Sequence, residues 1–443
     1  MSITVISILV LVSIIAIILL TSSLKLNAFV ALFLVSVFLA FVTLPADTIV
    51  TSIKQGFGNT MGSIGFLIIF GAMIGIILDR TGGTISIANY ILSKTGEKKS
   101  SRALAITGFI TGLPIFCDSG FIILSGLAKS FSSKSRLPVA FMATVLATSL
   151  YSVHCLIPPH PGALAAAGIM EVNVGNLILL GILFAVPGAL AAYLWSKWIV
   201  KGRDYPPAED TGTDISQDKK ELPPVFLSFL PIVVPLLLIT IKSLINLFDT
   251  TGESLIAKIF YFPGEPVFAL ATGVLIGLFL IRKKSIDSFN SLFTEAIVKA
   301  GPILIVTAAG GMFGMVIKST GVGEAMGKLL ADTNIGLFVP FLIALVMKTA
   351  QGSSTVAIIT TASFVLPMLD LLGLDSEWGR MLTMLSMGAG SMIVSHANDS
   401  YFWVVSNFAG LDINTNLKVY STSTMVMGTV VFAFVWISSL FLM

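Results

Sequence analysis

Charge is scarce in this chain. Asp, Glu, Lys and Arg make up 11% of its 443 residues, and hydrophobic residues make up 55%. A soluble domain carries about 25% charged residues, so a fold surrounded by water is excluded. With a mean hydropathy of +0.97, the composition describes an all-α polytopic membrane protein whose constant partner is the lipid bilayer. Cysteine is nearly missing: Cys117 and Cys155 both sit in apolar surroundings and form neither a disulfide framework nor a metal-ligand spacing. No HExxH or GxSxG-type motif is present. An intramembrane enzyme built from His and Asp is therefore only a remote alternative, and no cofactor or metal is implied. The start, MSITVISILV, lacks a basic n-region, so no cleaved signal peptide is expected. The net charge of +3 is too small to point to nucleic acid.

What the chain does have is apolar spans. They run at about 3–22, 26–45, 60–79, 103–128, 138–170, 176–198, 225–247, 265–281, 300–318, 335–372, 380–408 and 418–442. The longest polar segment, 201–221, is rich in Pro, Asp, Glu and Lys and reads as a cytoplasmic linker. It divides the chain into an N-terminal part, 1–200, and a C-terminal part, 223–443. Arg80, Lys94, Lys98, Lys99 and Arg102 precede the 103–128 segment, and Lys129, Lys134 and Arg136 follow it. Basic flanks face the cytoplasm, so this segment is expected to dip in and return as a re-entrant hairpin. Its middle, TGLPIFCDSG, suits the tip. Treating 335–372 in the same way leaves about ten crossings and two hairpins, with both termini outside.

The two parts also resemble each other. GAMIGIILDRTGG (71–83) lies on GMFGMVIKSTGVG (311–323), and SLYSVH (149–154) lies on SMIVSH (391–396). About five crossings per part is an odd number, so the expectation is two inverted-topology repeats whose broken helices meet near the midplane.

Polar residues inside the apolar spans fall into four islands. KTAQGSSTVA (348–357) carries Lys348, Gln351, Gly352, Ser353, Ser354 and Thr355. Ser and Thr also bond membrane helices together. That density around a lysine reads instead as broken backbone lining a cavity. Lys348 is a natural counter-charge for an anion, or a partner for Asp118 or Asp399. Amides at 353–355 would add donors for a carboxylate. PIFCDSG (114–120) holds Asp118, either a proton carrier or a cap on a half-helix. SVHCLIPPHPG (152–162) holds His154 and His160 among prolines that no regular helix accepts. GAGSMIVSHANDSYFW (388–403) holds His396, Asn398 and Asp399, the second proton candidate. Tyr401, Phe402 and Trp403 are expected to pack or to sit at the interface.

Together LPIFCDSGF, IPPHPG, KTAQGSSTVA and GAGSM…SHANDSYFWVVSNF resemble the gluconate permease family of proton symporters, which includes gluconate, related sugar-acid and D-serine permeases. The resemblance runs from about Gly56 to Asn416. It implies proton-coupled uptake of a small hydroxylated or amino carboxylate across a bacterial inner membrane, and it is the sole source for a homodimer. The implied substrate contacts include Ser119, Gly120, His154, His160, Gly162, Gln351, Gly352, Ser353, Ser354, Thr355, His396 and Asn398, with Asp118 and Asp399 as acids. Many members have Phe-Glu where this chain has Cys117-Asp118, a shorter acid beside a smaller neighbour. Three alternatives stay open: sodium in place of the proton, D-serine or another small carboxylate in place of a sugar acid, and an uncoupled facilitator.

Overall fold

A computed structural model describes residues 3–95, 100–203, 205–208, 222–248, 254–281, 285–320, 336–396 and 399–443. Every regular element among them is helical, the form in which a single segment satisfies its own backbone within lipid. The first part begins with α1 (Ile3–Ser22) and α2 (Ala28–Thr43). Next comes the long α3 (Ala46–Thr81), ended by Gly82 at φ +78°, which a side chain would resist. After α4 (Gly83–Thr95), α5 (Ser100–Gly112) and α6 (Cys117–Ser135) flank a break at 113–116 that contains Pro114. A second break, at 157–160, separates α7 (Val139–Leu156) from α8 (Pro161–Ile169), because three of its neighbouring positions are prolines. The part closes with α9 (Val174–Val200).

The second part holds α10 (Val225–Phe248), α11 (Leu255–Tyr261), α12 (Pro266–Gly277) and the long α13 (Ile286–Ser319). Then α14 (Phe338–Gln351) and α15 (Ser354–Val365) flank a break at Gly352 and Ser353. Here Gly352 adopts φ +82° and the Ser353 hydroxyl accepts from the Val356 amide, so the sequence both stops one helix and starts the next. Another break follows α16 (Glu377–Met392) and precedes α17 (Ser400–Ala409), whose first turn is capped by Asp399. The chain ends with α18 (Ile413–Asn416), a π turn over Leu417–Ser421 and α19 (Thr422–Leu442).

Both segments expected to contain hairpins are helix–break–helix. Among the described residues a long helix, two interrupted pairs and a further long helix follow one another in α3 to α9, with α4 after the first, and again in α13 to α19, with α18 before the last. Asn398, the end of the 311–323 match and residues 204 and 209–221 of the linker lie outside the described residues. Five described helices are long and apolar enough to cross a membrane, or up to seven if each bent pair is one span. The expected ten exceeds that count in part because the 380–408 span is broken into helices of 16 and 10 residues and α2 has 16, all shorter than the ~20 residues of an unbroken crossing.

Two contacts position the rest. The long helices α3 and α13 pack antiparallel along their lengths. Ser52 and Ser319 hydroxyls meet at 3.2 Å near one end, and Arg80 pairs with Glu295 at 2.8 Å near the other. Between them Gly56 allows the backbones to touch: a Cβ there would stand 2.7 Å from Met312 Cα. The second is α7, buried along its whole length at the centre of the main core, with α5, α6, α9 and α16 against it.

Candidate functional site

Three of the four breaks, those before α6, α15 and α17, converge on one cavity of about 240 Å³. Its polar lining comes from the first turns of three helices: Asp118 of α6, Ser354 and Thr355 of α15, and Ser400 and Tyr401 of α17. Ser353 and Asp399, the caps of the latter two helices, line it as well, and Tyr151 and His154 enter from α7. Pro302, Ile303 and Val306 of α13 form an apolar wall. The arrangement follows from the sequence. Each break frees amide groups at a helix start, and each start carries a positive dipole end. Three such ends around one space favour an anion.

The charged groups divide sharply. Lys348, fully buried near the end of α14, donates to Asp399 Oδ2 at 2.6 Å and to the Gly352 carbonyl at 2.6 Å. Asp399 Oδ2 also accepts from the Ser395 hydroxyl at 2.5 Å, and Oδ1 accepts from the Tyr401 amide at 2.9 Å. Both charges are thus answered, and the pair ties the end of α14 to the start of α17. Asp118 differs. Its Oδ1 is buried and meets no hydrogen-bond partner, and none of the ion pairs among the described residues includes it.

The histidines have separate settings. His154 Nε2 lies 3.4 Å from the Thr355 hydroxyl, while its Nδ1 is buried without a partner. The His160 ring stands 4.9 Å from that of His154. Its Nε2–H donates to the Gly112 carbonyl at 2.5 Å, since a carbonyl can only accept. His396 Nε2–H donates to the Thr349 carbonyl at 3.2 Å.

Of the residues singled out from sequence, Asp118, His154, Ser353, Ser354, Thr355 and Asp399 line the cavity. Lys348 stands behind Asp399. His160, His396 and Ser119 are outside the lining, as are three glycines. Gly352 turns the chain. Gly120 lets α6 approach Leu150, 2.9 Å from a built Cβ, and Gly162 brings α8 against Thr355 Cα at 3.0 Å. Gln351 ends α14. Sequence reasoning missed the α13 wall, and it placed Phe116, Cys117 and Ser400 within the polar islands without naming them as contacts. Tyr151 was also missed, although it precedes His154 by three positions and so shares its helix face. Tyr401 lines the cavity rather than an interface, and its hydroxyl donates to the Ala147 carbonyl at 3.1 Å. Phe402 is fully buried, and Trp403 is exposed.

Residues 4–441 match the model of the GntP family permeases. A Haemophilus influenzae protein named "Uncharacterized permease" is 34% identical over 421 residues, covering 90% of this chain and 85% of its own length. The high-affinity gluconate transporter of Escherichia coli is 31% identical over 415 residues, covering 93% and 94%. Among solved structures, Neisseria gonorrhoeae MtrF, described with a class of antimetabolite efflux pumps, superposes with a TM-score of 0.64 at 15% identity. It covers 88% of this chain and 85% of its own, and at that identity the likeness is one of fold.

Proposed function

The chain belongs to the GntP permease family, and from that premise we propose that it imports a small hydroxy-carboxylate, gluconate or a related sugar acid, by proton symport. It is a permease of the inner membrane rather than an enzyme. The observation that carries the substrate reading is the convergence of three helix N-termini on one cavity. Amides and the dipole ends of α6, α15 and α17 receive the carboxylate. Hydroxyls of Ser354, Thr355 and Ser400, with His154, face the substrate's own hydroxyl groups. The relatives named for gluconate and L-idonate support a sugar acid.

Asp118 is the acid that carries the proton in this reading, since it borders the cavity and no ion pair among the described residues engages it. The two parts of the chain are inverted repeats: the corresponding helices α3 and α13 pack antiparallel, as inversion about an axis between them requires. The interrupted pairs α5/α6 and α14/α15 are the re-entrant hairpins, and alternating access moves them against the long helices.

Uptake of labelled gluconate into proteoliposomes under an imposed pH gradient, without sodium, tests the reading. Accumulation that collapses with a protonophore is the expected result. Uptake that waits for added sodium overturns the proton, and uptake of only a non-hydroxylated acid overturns the substrate class.

A further inference from the structure

The two long helices carry glycines that packing does not require. With Gly75 laid on Gly314 and Thr81 on Thr320, Gly62 of α3 falls on Gly301 of α13. At Gly56 and Gly311 a side chain would collide with the opposite helix, so glycine is needed there. At Gly62, Gly65 and Gly301 a Cβ would meet nothing within 4 Å, and the backbone is helical. Alanine would fit each place and favour the helix more. What glycine supplies there is ease of bending. α3 bends by 40° between Gly62 and Gly65. α13 continues as one helix through Gly301, but Pro302 follows, and a proline there removes the hydrogen bond to the Val298 carbonyl. We propose that these two points are hinges, and that bending at them swings the interrupted pairs during transport. This rests on the alternating-access reading above.

The packing divides at the same places. Buried apolar residues of α3 from Leu67 to Leu78, and of α13 from Ala296 to Leu304, belong to the main core. From Val306 to Ile317, α13 contributes instead to a second core with α1 and α2, and Ile49 and Ile53 of α3 rest on it. Each long helix thus leaves one packed body and enters another near its own middle. Close-packed bodies resist bending within themselves, so the joint between them takes the change.

Beyond its joint, each long helix grips an interrupted pair. Gly75 lies against the break between α5 and α6, where a Cβ would stand 2.7 Å from the Pro114 carbonyl oxygen. Its counterpart Gly314 lies against α15, where a Cβ would stand 3.2 Å from the Ser363 carbonyl oxygen. The Phe313 ring meets that of Phe364 edge-on at 4.9 Å beside it. The two far halves are therefore levers of one design. One ends on the pair that carries Asp118, and the other on the pair that carries Ser354 and Thr355. Pro302, Ile303 and Val306 line the cavity, so a bend at the α13 joint also moves its apolar wall.

Alanine replacement separates a hinge from a packing role. Gly62→Ala combined with Gly65→Ala stiffens α3, which does not line the cavity. The expected result is a melting temperature equal to the parent's or higher, with an unchanged half-saturation concentration for labelled gluconate in proteoliposomes. The initial uptake rate should fall tenfold or more. Gly58→Ala is the control, since a Cβ there also meets nothing within 4 Å, a turn before the joint. Its rate should stay within twofold of the parent. A double variant that transports within twofold of the parent, or a control that slows as much, overturns the hinge. So does a lowered melting temperature in the double variant, because glycine is then needed for packing.

A second measurement needs no substrate. Ile286→Cys and Lys318→Cys place spin labels at exposed positions near the two ends of α13. Both native cysteines are buried, so the introduced pair takes the label. The straight helix between the labels spans ~48 Å, and a bend like that of α3 shortens it by ~3 Å. The parent should show both separations, and Gly301→Ala combined with Pro302→Ala only the longer. A single separation in the parent overturns the hinges. Both separations in a protein that moves no gluconate keep the hinges and remove the substrate reading instead.

Discussion

Two breaks face each other across the cavity, and they use the same local chemistry to opposite ends. At 113–116 a proline follows the end of α5, and the first turn of α6 carries Asp118, whose buried oxygen meets no donor. At Gly352 and Ser353 a left-handed glycine ends α14 and a serine starts α15, and the nearby charges are locked together as Lys348–Asp399. Both breaks offer amides to the same space. One leaves its acid open to change, and beside the other a lysine and the acid that caps α17 hold two helices in register. In the proposed reading a polar island is therefore not uniformly a binding device: part of it binds, and part of it positions what binds.

That contrast can be broken most severely at the closed end. Lys348→Ala or Asp399→Ala alone leaves one buried charge unanswered and should cost about 3–5 kcal/mol of stability. Thermal unfolding in detergent would show it, and the double replacement Lys348→Met with Asp399→Asn should recover most of the loss. Equal melting of the single and double variants would remove the pair from its holding role. At the open end, Asp118→Asn should leave the melting temperature within a few degrees of the parent while reducing gradient-driven accumulation to the level of the external medium. An effect of intermediate size is expected where the first break rests on α3. A Cβ on Gly75 would stand 2.7 Å from the Pro114 carbonyl. Gly75→Ala should therefore cost about 1–3 kcal/mol, with slowed transport, measured by the same melts and by initial uptake rates. The smallest effect belongs to an exposed counterpart of the buried pair. Arg380 bridges Asp375 at 2.8 Å and Glu171 at 3.2 Å near the ends of α16 and α8. Glu171→Gln should shift stability by about 1 kcal/mol or less, because a surface pair gains little against water.

The sequence made the interruptions legible because each needs a particular residue. PPHPG cannot continue a helix, and GSS supplies a left-handed stop followed by a cap. The family was legible for the same reason, since its four motifs are these breaks. Partnership across the fold was not. Lys348 and Asp399 stand 51 positions apart, and nothing local distinguishes a lysine waiting for an anion from one already paired with a carboxylate. Pro302, Ile303 and Val306 were hidden for another reason: an apolar residue facing a cavity has the same chemistry as one facing lipid. Gly120 and Gly162 look like ligand contacts in a motif, but the space of their missing side chains is occupied by Leu150 and Thr355. Small size at a helix crossing and close approach to a ligand leave the same letter in the chain.

The α13 wall has a consequence for how such a protein changes over generations. Pro302, Ile303 and Val306 bring no side-chain hydrogen bond or charge to the cavity. Exchanges among apolar residues there alter the room available while leaving the ion pair, the caps and Asp118 untouched. A lineage could pass from a shorter to a longer cargo by such steps with its buried acid and ion pair intact, so that, in the proposed reading, appetite and engine are inherited separately.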